Sequence, residues 1–321
     1  MKRGTDIEAA AAVLRAGGLV AFPTETVYGL GGDAASDAAV ANIFAAKGRP
    51  RTHPLIVHLA PDAVLDDFAI DISPIARTLA AAAWPGPLTI ILRRGPRVSL
   101  AATGGADTVG LRVPAHSVAQ QLLRAFGGAI AAPSANRFGR VSPTTADHVA
   151  ADLGDDVDYI LDGGACVVGV ESTIVDLSRD RPTLLRPGGM AREAIEAIVG
   201  PLAAADAAAP AAPGTLASHY APRAELIAVD PADVPAAVAA ARGIVAVLAP
   251  RSAFAAWPDL RAIARPLPDD LAGIARELYA ALRDLDAAGV DVVIAALPPT
   301  VGLGEAVGDR LRRAAGPKGR T

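Results

Sequence analysis

The chain has 321 residues, which is long for one domain and favours two domains of roughly 150 residues each. Hydrophobic residues make up 52% of the sequence and charged residues 20%, a composition that excludes an intrinsically disordered chain. The net charge of −4 is spread evenly over both halves. This balance argues against a protein whose main role is non-specific nucleic-acid binding, because such proteins carry a large basic surplus.

The single cysteine and the lack of a long apolar run exclude several classes of protein. Cys166 stands alone, so we expect no intramolecular disulfide and no zinc site built on thiolates. No apolar run approaches the roughly 20 residues that a membrane-spanning helix needs, and the first residues lead into an amphipathic helix, not a signal peptide. We therefore expect a cytoplasmic enzyme without membrane association.

Hydrophobic periodicity and turn residues predict a mixed succession of elements in the first 200 residues. In chain order these are helix 7–16, strand 19–22, a glycine-rich loop 24–33, a helix ending near 47–48, strand 54–59, helix 73–83, strands 88–92 and 108–113, helix 116–126, strand 129–132, a helix from 144–145 to about 154, strands 159–161, 172–177 and 183–185, and helix 191–199. Strands and helices that do not alternate strictly indicate a twisted sheet with helices packed against it.

The second half of the chain reads differently. Residues 201–213 are almost all alanine and proline, which predicts a linker with no packed element. Beyond it, strands 225–229, 244–248 and 290–295 alternate with helices 231–241, 269–288 and 304–315, a pattern typical of a small Rossmann-like unit. The predicted organisation is a catalytic domain over 1–200, a linker and lid over 201–222, and a C-terminal domain over 223–321.

Standard catalytic signatures are missing: the sequence has no phosphate-binding P-loop, nucleophile elbow or His-Glu-x-x-His helix. What remains is a set of cations and hydroxyls placed where strands or helices end, such as Lys47, Arg49, Arg112, Ser134 and Arg186. In α/β folds such positions often converge on one crevice, and lysine and arginine suit phosphate and carboxylate groups. Taken singly, each also has an ordinary structural explanation, because a basic residue at a helix end commonly answers the helix dipole.

Several literal motifs occur together and in order. They are PTETVYGLG (23–31), KGRP (47–50), PLIVH (54–58), WPGPLT (84–89), TVGLRVP (108–114), APSAN (132–136), ESTIVD (171–176), LRPG (185–188) and HYAP (219–222). With these motifs the chain resembles the YrdC-type threonylcarbamoyl-AMP synthases from about residue 7 to 199. The HYAP motif and the α/β unit after it resemble the long, two-domain form of the family.

The resemblance implies an α/β fold: a twisted mixed sheet with helices and a concave cavity, followed by a smaller Rossmann-like domain. It implies synthesis of threonylcarbamoyl-AMP and pyrophosphate from L-threonine, bicarbonate and ATP. The ATP is expected to carry Mg²⁺ held mainly by its phosphate oxygens, with no metal ligand from the protein assigned. Downstream proteins would then transfer the threonylcarbamoyl group to the adenosine beside the anticodon of certain tRNAs.

The resemblance also implies the site residues. Lys47 and Arg49 are assigned catalytic roles in offsetting charge on the triphosphate. The threonine contacts carried over by motif are Thr26, His58, Arg112, Ala132 through its backbone, and Ser172. The ATP contacts are Lys47, Arg49, His53, Thr108, Ser134, Ser142, Arg186 and Tyr220, of which Tyr220 is expected to close over the nucleotide. His53 stands where many relatives carry asparagine, and both residues can donate a hydrogen bond.

Two other hypotheses stay open at this point. One keeps the domain but changes the substrate, as in the carbamoyl transferases of hydrogenase maturation; the single cysteine argues against it, because those chains carry cysteine-rich zinc motifs. The other is a non-catalytic binder of double-stranded RNA or a translation-associated factor. The neutral-to-acidic charge and the absence of an aromatic stacking platform leave room only for weak RNA binding.

Overall fold

The computed structural model describes residues 2–215 and 219–316, and within them the chain folds as two compact units. The first unit runs to Phe138 and then takes in Ser142–Val167 and Glu171–Thr215. The second unit contains the described residues from 219 onward together with two short segments that interrupt the first unit in sequence, Gly139–Val141 and Val168–Val170. Within the described ranges we find no helix that combines the length and the hydrophobicity of a membrane span.

Within its described residues the first unit contains twelve strands and six α-helices. The strands are β1 (Lys2–Gly4), β2 (Val20–Phe22), β3 (Gly29–Asp33), β4 (Ile56–His58), β5 (Ala69–Ile70), β6 (Leu88–Arg94), β7 (Thr108–Arg112), β8 (Ile130–Ala131), β9 (Tyr159–Leu161), β10 (Thr173–Asp176), β11 (Thr183–Arg186) and β12 (Ala203–Ala204). The helices are α1 (Ile7–Arg15), α2 (Asp37–Lys47), α3 (Pro74–Ala83), α4 (Ser117–Phe126), α5 (Ala146–Leu153) and α6 (Arg192–Val199).

All twelve strands join one mixed sheet in the order β1-β9-β2-β3-β8-β4-β7-β6-β10-β11-β12, with β5 paired to β6. Alternate residues of β2 show why helices cover both faces. Val20 and Phe22 pack into a core that also contains Leu14 of α1 and Leu122 of α4, whereas Ala21 packs into the core on the other face. This observation confirms the predicted α/β class with a large twisted mixed sheet.

Local signals set the ends of the helices. Ser36 accepts a hydrogen bond from the Ala39 amide at the start of α2, and Thr145 does the same for His148 at the start of α5. Both are side-chain caps that satisfy amides left without a partner in the first helical turn. The periodicity and these caps together explain why the helices of this unit lie close to their predicted positions.

The prediction of a glycine-rich loop over 24–33 is partly wrong, because Gly29–Asp33 forms β3 between β2 and β8. A side chain at Gly31 would place its Cβ 2.7 Å from the Ile130 side chain and 2.8 Å from the ring of Phe22. The glycines thus admit a tightly packed central strand. They also remove the alternation of apolar and polar residues by which a strand is predicted.

The second unit contains a separate four-stranded parallel sheet. Its strands are β13 (Glu225–Val229), β14 (Val245–Pro250), β15 (Ile263–Leu267) and β16 (Val292–Ala296), and its helices are α7 (Val234–Ala240), α8 (Leu271–Ala287) and α9 (Leu303–Ala314). The strand order is β13-β16-β14-β15, with all three pairs parallel. This confirms the predicted smaller α/β domain. The edge strand β15 escapes sequence reasoning because arginine and proline interrupt its short apolar pattern.

The alanine- and proline-rich segment 201–213 was predicted to contain no packed element, and this prediction is wrong. Ala203 and Ala204 form β12, which pairs in parallel with β11 at the edge of the large sheet. Leu202 and Ala212 are also buried. Short alanine side chains can pack closely without the large apolar residues that usually reveal a buried segment.

Candidate active site

Burial distinguishes four of the predicted basic residues from the others. Lys47, Arg49, Arg112 and Arg186 are each at most 8% exposed. Among the described residues of the first unit, no other lysine or arginine is buried. Taking a charge out of water costs free energy unless hydrogen bonds or opposite charges replace the lost hydration. Four buried cations in one unit are therefore typical of a protein that binds anionic groups.

Lys47 is the last residue of α2, which ends at Gly48 in the left-handed conformation with φ of 61°. Its ammonium donates hydrogen bonds to the carbonyl oxygens of Ser134, at 2.5 Å, and of Asn136. Burial, followed by the charge of Arg49, holds the pKa of Lys47 well below its ordinary value. An ammonium whose charge is disfavoured in this way is suited to bind an anion such as phosphate.

Arg49 and His53 both contact the ring of Phe138. The guanidinium carbon of Arg49 lies 5.7 Å from the ring centroid, and the His53 ring centroid lies 5.5 Å from it. Burial and, second, the Arg49 charge lower the pKa of His53. Phe138 is not among the predicted site residues, although its position two residues after the APSAN motif is a signal that could have pointed to it.

Arg112 ends β7 and directs all three nitrogens of its guanidinium at buried neighbours. Nε donates to the carbonyl oxygen of Gly86 at 3.2 Å, and Nη1 donates to the Thr26 hydroxyl at 3.0 Å. Nη2 lies 2.8 Å from Oε1 of Glu25, an ion pair that lacks the alignment of a hydrogen bond. The structure thus brings together Thr26 and Arg112, two predicted threonine contacts, and adds Glu25, which sequence reasoning did not assign to the site.

His58 lies beside this group, because β4 and β7 run parallel with His58 opposite Arg112. The ring is 3% exposed and meets the ring of Phe22 edge-on, with 5.8 Å between centroids. Burial, followed by the Arg112 charge, lowers the pKa of His58 to about 3. The imidazole is therefore neutral at physiological pH and can exchange hydrogen bonds with a hydroxyl without adding charge.

Arg186 and Ser172 form a second contact group. Nε and Nη2 of Arg186 donate to the Ser172 carbonyl oxygen at 3.2 and 2.7 Å. Nη2 also lies 3.3 Å from the Ser172 hydroxyl, which is 2.8 Å from the hydroxyl of Thr89. A predicted ATP contact and a predicted threonine contact are therefore adjacent, at the end of β11 and the start of β10.

Three further predicted residues of the first unit, Ser142, Ala132 and Thr108, lie near β10, β8 and β7. Ser142 is fully buried and donates a hydrogen bond to Oε1 of Glu171 at 2.6 Å. The Ala132 amide donates to the carbonyl oxygen of Ile56 at 2.8 Å, directly after β8. Thr108 is half-buried at the start of β7. Glu171 was not predicted as a site residue, although it begins the ESTIVD motif.

Several of the predicted residues lie in or beside the loop 23–28. They do not all lie along one edge of the sheet. Strand β8 runs antiparallel to β4, with Ile130 opposite His58. Ser134 therefore lies beyond the end of β8 that is farther from His58. There it forms an isolated β-bridge with Gly29. Within this loop the Thr26 hydroxyl accepts a hydrogen bond from Arg112. At the end of the loop the amide of Tyr28 donates to the carbonyl oxygen of Pro143 at 2.9 Å, one residue after Ser142.

Tyr220, the predicted lid residue, belongs to the second unit. It is 1% exposed and has a φ of 63°, which is unusual for a residue with a side chain. Its ring lies 4.1 Å from the His219 ring, 6.0 Å from the Tyr279 ring and 5.0 Å from the guanidinium carbon of Arg310. Strained backbone held by a packed aromatic cluster often marks a functional segment.

Comparison with known proteins places this arrangement in a family. Residues 12–188 match the Sua5/YciO/YrdC family, described as "Telomere recombination", and residues 190–316 match the family described as "Threonylcarbamoyl-AMP synthase, C-terminal domain". The chain belongs to the Sua5/YciO/YrdC family. The predicted resemblance to the long, two-domain form is thereby confirmed.

Individual relatives match over nearly the full length of this chain. The threonylcarbamoyl-AMP synthase of Pyrococcus abyssi is 43% identical over 325 residues, covering 97% of this chain and 94% of the relative. That of Bacillus subtilis is 41% identical over 323 residues, covering 97% and 93%. The crystal structure of P. abyssi Sua5 with L-threonine has a TM-score of 0.90 at 41% identity and covers 98% of this chain and 96% of that one.

More distant structures share the fold over little more than half of this chain. Full-length HypF in its phosphate- and nucleotide-bound form is 20% identical, with a TM-score of 0.51, and matches 57% of this chain but 29% of its own length. Escherichia coli YciO is 24% identical with the same TM-score. These levels of identity show a common fold and carry no information on substrate.

Proposed function

We propose that this chain makes threonylcarbamoyl-AMP and pyrophosphate from L-threonine, bicarbonate and ATP, as a cytoplasmic nucleotidyltransferase. The product would be passed to threonylcarbamoyl-transfer proteins that modify tRNA next to the anticodon. The observation that carries the proposal is the burial of Lys47, Arg49, Arg112 and Arg186 in one unit. It agrees with the full-length similarity to threonylcarbamoyl-AMP synthases and to a Sua5 structure determined with L-threonine.

The reaction needs no nucleophile from the enzyme. Threonine's amine and bicarbonate would give an N-carboxylate and water, and a carboxylate oxygen would then attack the α-phosphorus of ATP as pyrophosphate leaves. Cys166, the one thiol in the chain, is buried, and burial raises its pKa to about 12. A thiol that stays protonated at physiological pH is a poor nucleophile, which agrees with a reaction carried by positioning and charge alone.

Each buried cation would act by offsetting charge. Lys47, Arg49 and Arg186 would stabilise the negative charge that moves onto the leaving pyrophosphate, because these groups are fixed before the reaction and need little reorganisation. The bonds from Lys47 to the carbonyls of Ser134 and Asn136 hold its ammonium in place. Arg112 would pair with the threonine carboxylate, and His58 and Thr26 would accept or donate hydrogen bonds around it.

Mg²⁺ would enter with ATP and neutralise part of the phosphate charge. Among residues 2–215 and 219–316 there is no cluster of three or more His, Cys, Asp or Glu side chains suited to a metal ion. Phosphate oxygens and water commonly supply most ligands of a nucleotide-bound Mg²⁺, so the residues present are compatible with an ion that arrives on its nucleotide. Tyr220 would serve as a lid that excludes water from the easily hydrolysed mixed anhydride.

Pyrophosphate release tests the proposal directly. Purified protein with ATP, Mg²⁺, threonine and bicarbonate should release pyrophosphate, and omission of either threonine or bicarbonate should abolish the release. Replacement of threonine by carbamoyl phosphate should give no adenylate. Release that persisted without threonine or bicarbonate would refute the proposal.

A further inference from the structure

Glu25 is a buried carboxylate that the charge-offset mechanism above leaves without a role. It lies in the loop that follows β2, next to Thr26, and its side chain is 7% exposed. Oε1 lies 2.8 Å from Nη2 of Arg112. Burying a carboxylate is costly, and an ion pair offsets this cost fully only when hydrogen bonds satisfy its remaining lone pairs.

Those hydrogen bonds are missing. Among the described residues neither carboxylate oxygen of Glu25 accepts a hydrogen bond, and Nη2 of Arg112 donates none. The other two nitrogens of Arg112 are engaged by Gly86 and Thr26, so the shortfall is confined to the face that Arg112 shares with Glu25. Buried polar groups are nearly always satisfied in folded proteins, and an unsatisfied set at one point suggests a ligand that completes it.

The unsatisfied atoms match one kind of molecule. They are one cationic donor and two anionic acceptors, side by side and shielded from water. A free α-amino acid is a zwitterion whose carboxylate accepts hydrogen bonds and whose ammonium donates three. We propose that Glu25 binds the α-ammonium group of the amino-acid substrate while Arg112 binds its carboxylate. This inference rests on the proposed function and adds to it the group that selects an amino acid over other carboxylates.

A purely structural role for Glu25, as a counter-charge that holds Arg112 in place, predicts a different response. Loss of a structural partner would misplace Arg112 and weaken the binding of every carboxylate ligand alike. Loss of an ammonium-binding group would weaken only ligands that carry an ammonium. It would also free Arg112, so that a carboxylate ligand without an ammonium binds no more weakly than before.

The experiment compares two ligands by isothermal titration calorimetry with the full-length protein. One is L-threonine and the other is its 2-hydroxy analogue, 2,3-dihydroxybutanoate of the same configuration, which differs only at the α-nitrogen. Wild-type protein should bind threonine about 10- to 100-fold more tightly than the analogue, the range expected for charge-assisted hydrogen bonds. In Glu25→Gln the ratio should fall to within about threefold, mainly through weaker threonine binding.

Two further variants control the result. Glu25→Asp keeps the negative charge and should keep a preference for threonine. Asp176→Asn removes another fully buried, ion-paired carboxylate, where β10 ends, and should leave the ratio at its wild-type value. If Glu25→Gln fails to fold, the wild-type ratio still tests the proposal, since a ratio near one would overturn it.

The outcomes separate the two proposals. Wild-type protein that binds no threonine would overturn the proposed function and this inference with it. Wild-type protein that prefers threonine, with the same preference in Glu25→Gln or with both ligands weakened equally, would overturn the role of Glu25 and leave the proposed function standing.

Discussion

Arg186 donates a hydrogen bond from Nη1 to the carbonyl oxygen of Pro213, at 2.9 Å, across 27 positions of the chain. A residue expected to contact ATP is thereby tied to the end of the alanine- and proline-rich segment. Ala212, beside Pro213, packs in a buried cluster with Ile91 and Leu185 of the large sheet. The first unit therefore includes this segment as part of its fold.

Truncation tests how far the first unit extends. We expect a chain of residues 1–215 to fold, and a chain of residues 1–205 to have a free energy of unfolding lower by about 2–4 kcal/mol, because it loses a buried alanine and a hydrogen bond to a charged group. Urea unfolding followed by circular dichroism measures the difference. Equal stability would mean that the contacts of Ala212 and Pro213 contribute nothing.

The same truncated chain addresses the lid. Residues 1–215 lack Tyr220, so we expect pyrophosphate release to fall at least about tenfold, as for enzymes whose closure completes the site. The control is the full-length chain with Tyr220→Phe, which keeps the ring of the aromatic cluster and removes only the hydroxyl. Undiminished turnover by residues 1–215 would refute the lid.

Lys47 provides a test in which stability and activity change in opposite directions. Since burial holds the Lys47 pKa well below its ordinary value, the folded protein disfavours the ammonium despite the carbonyls of Ser134 and Asn136. We expect Lys47→Met, which keeps the volume and removes the charge, to leave the free energy of unfolding unchanged or to raise it by about 1–2 kcal/mol. Pyrophosphate release should fall at least about 100-fold.

The control for Lys47 is Arg124→Met, which removes an exposed cation on α4. Its ion pair with Asp62 leaves both side chains half-exposed or more, so its removal should change stability by less than about 1 kcal/mol. A Lys47→Met variant that was strongly destabilised would show that Lys47 stabilises the fold and that the folded protein favours its ammonium form.

The low pKa of His58 predicts that the free energy of unfolding falls at acidic pH. Its pKa is about 3 in the folded protein against an ordinary value of 6.5, so the unfolded chain binds a proton between these values and the folded chain does not. Stability should therefore be fully present above pH 6.5 and fall as the pH drops toward 3. From pH 7 to pH 5 the loss attributable to this residue is about 2 kcal/mol.

Urea unfolding at pH 7 and pH 5 measures this loss in wild-type protein and in His58→Asn. The variant should lose about 2 kcal/mol less than the wild type between the two pH values. His116→Asn is a matched control, because His116 is only partly buried and should account for a smaller share of the acid sensitivity. Identical pH dependence in His58→Asn and wild type would contradict the neutral, buried imidazole.

Sequence reasoning succeeded where motifs and periodicity carry the information. The four cations now found buried were all singled out, because lysine and arginine next to strand and helix ends stand out in a chain rich in alanine. It failed where packing decides the outcome. Strand β3 has glycine at position 31 because a larger residue would not fit between Phe22 and Ile130. This constraint exists only once the sheet has formed.

The missed site residues have a similar explanation. Phe138 contacts Arg49 and His53 across 89 and 85 positions of sequence, and apart from its place just after the APSAN motif no signal in the sequence points to such a contact. Glu25 lies inside the PTETVYGLG motif, but only its distance to Arg112 and its unsatisfied carboxylate oxygens indicate a role in binding. Pairings over long separations depend on the topology of the sheet, which short sequence windows do not encode.

Arg112 tests the assignment of the amino-acid subsite. Arg112→Ala should raise the KM for threonine at least about 100-fold and the KM for ATP less than about threefold, because the cationic partner of the substrate carboxylate is lost. The same change leaves the Glu25 carboxylate buried without its cation. The free energy of unfolding should therefore also fall, by about 3–5 kcal/mol.

The double variant Arg112→Ala with Glu25→Gln separates these two effects. It removes both charges, so the stability should recover much of the loss seen in Arg112→Ala, whereas the threonine KM should stay high. The two sites are in contact, and a double-mutant cycle should give a coupling free energy of about 1–3 kcal/mol. If the double variant recovered threonine binding together with stability, Arg112 would act only by supporting the fold. If both substrates were affected equally in Arg112→Ala, the residue would lie between the two subsites and not in the threonine subsite.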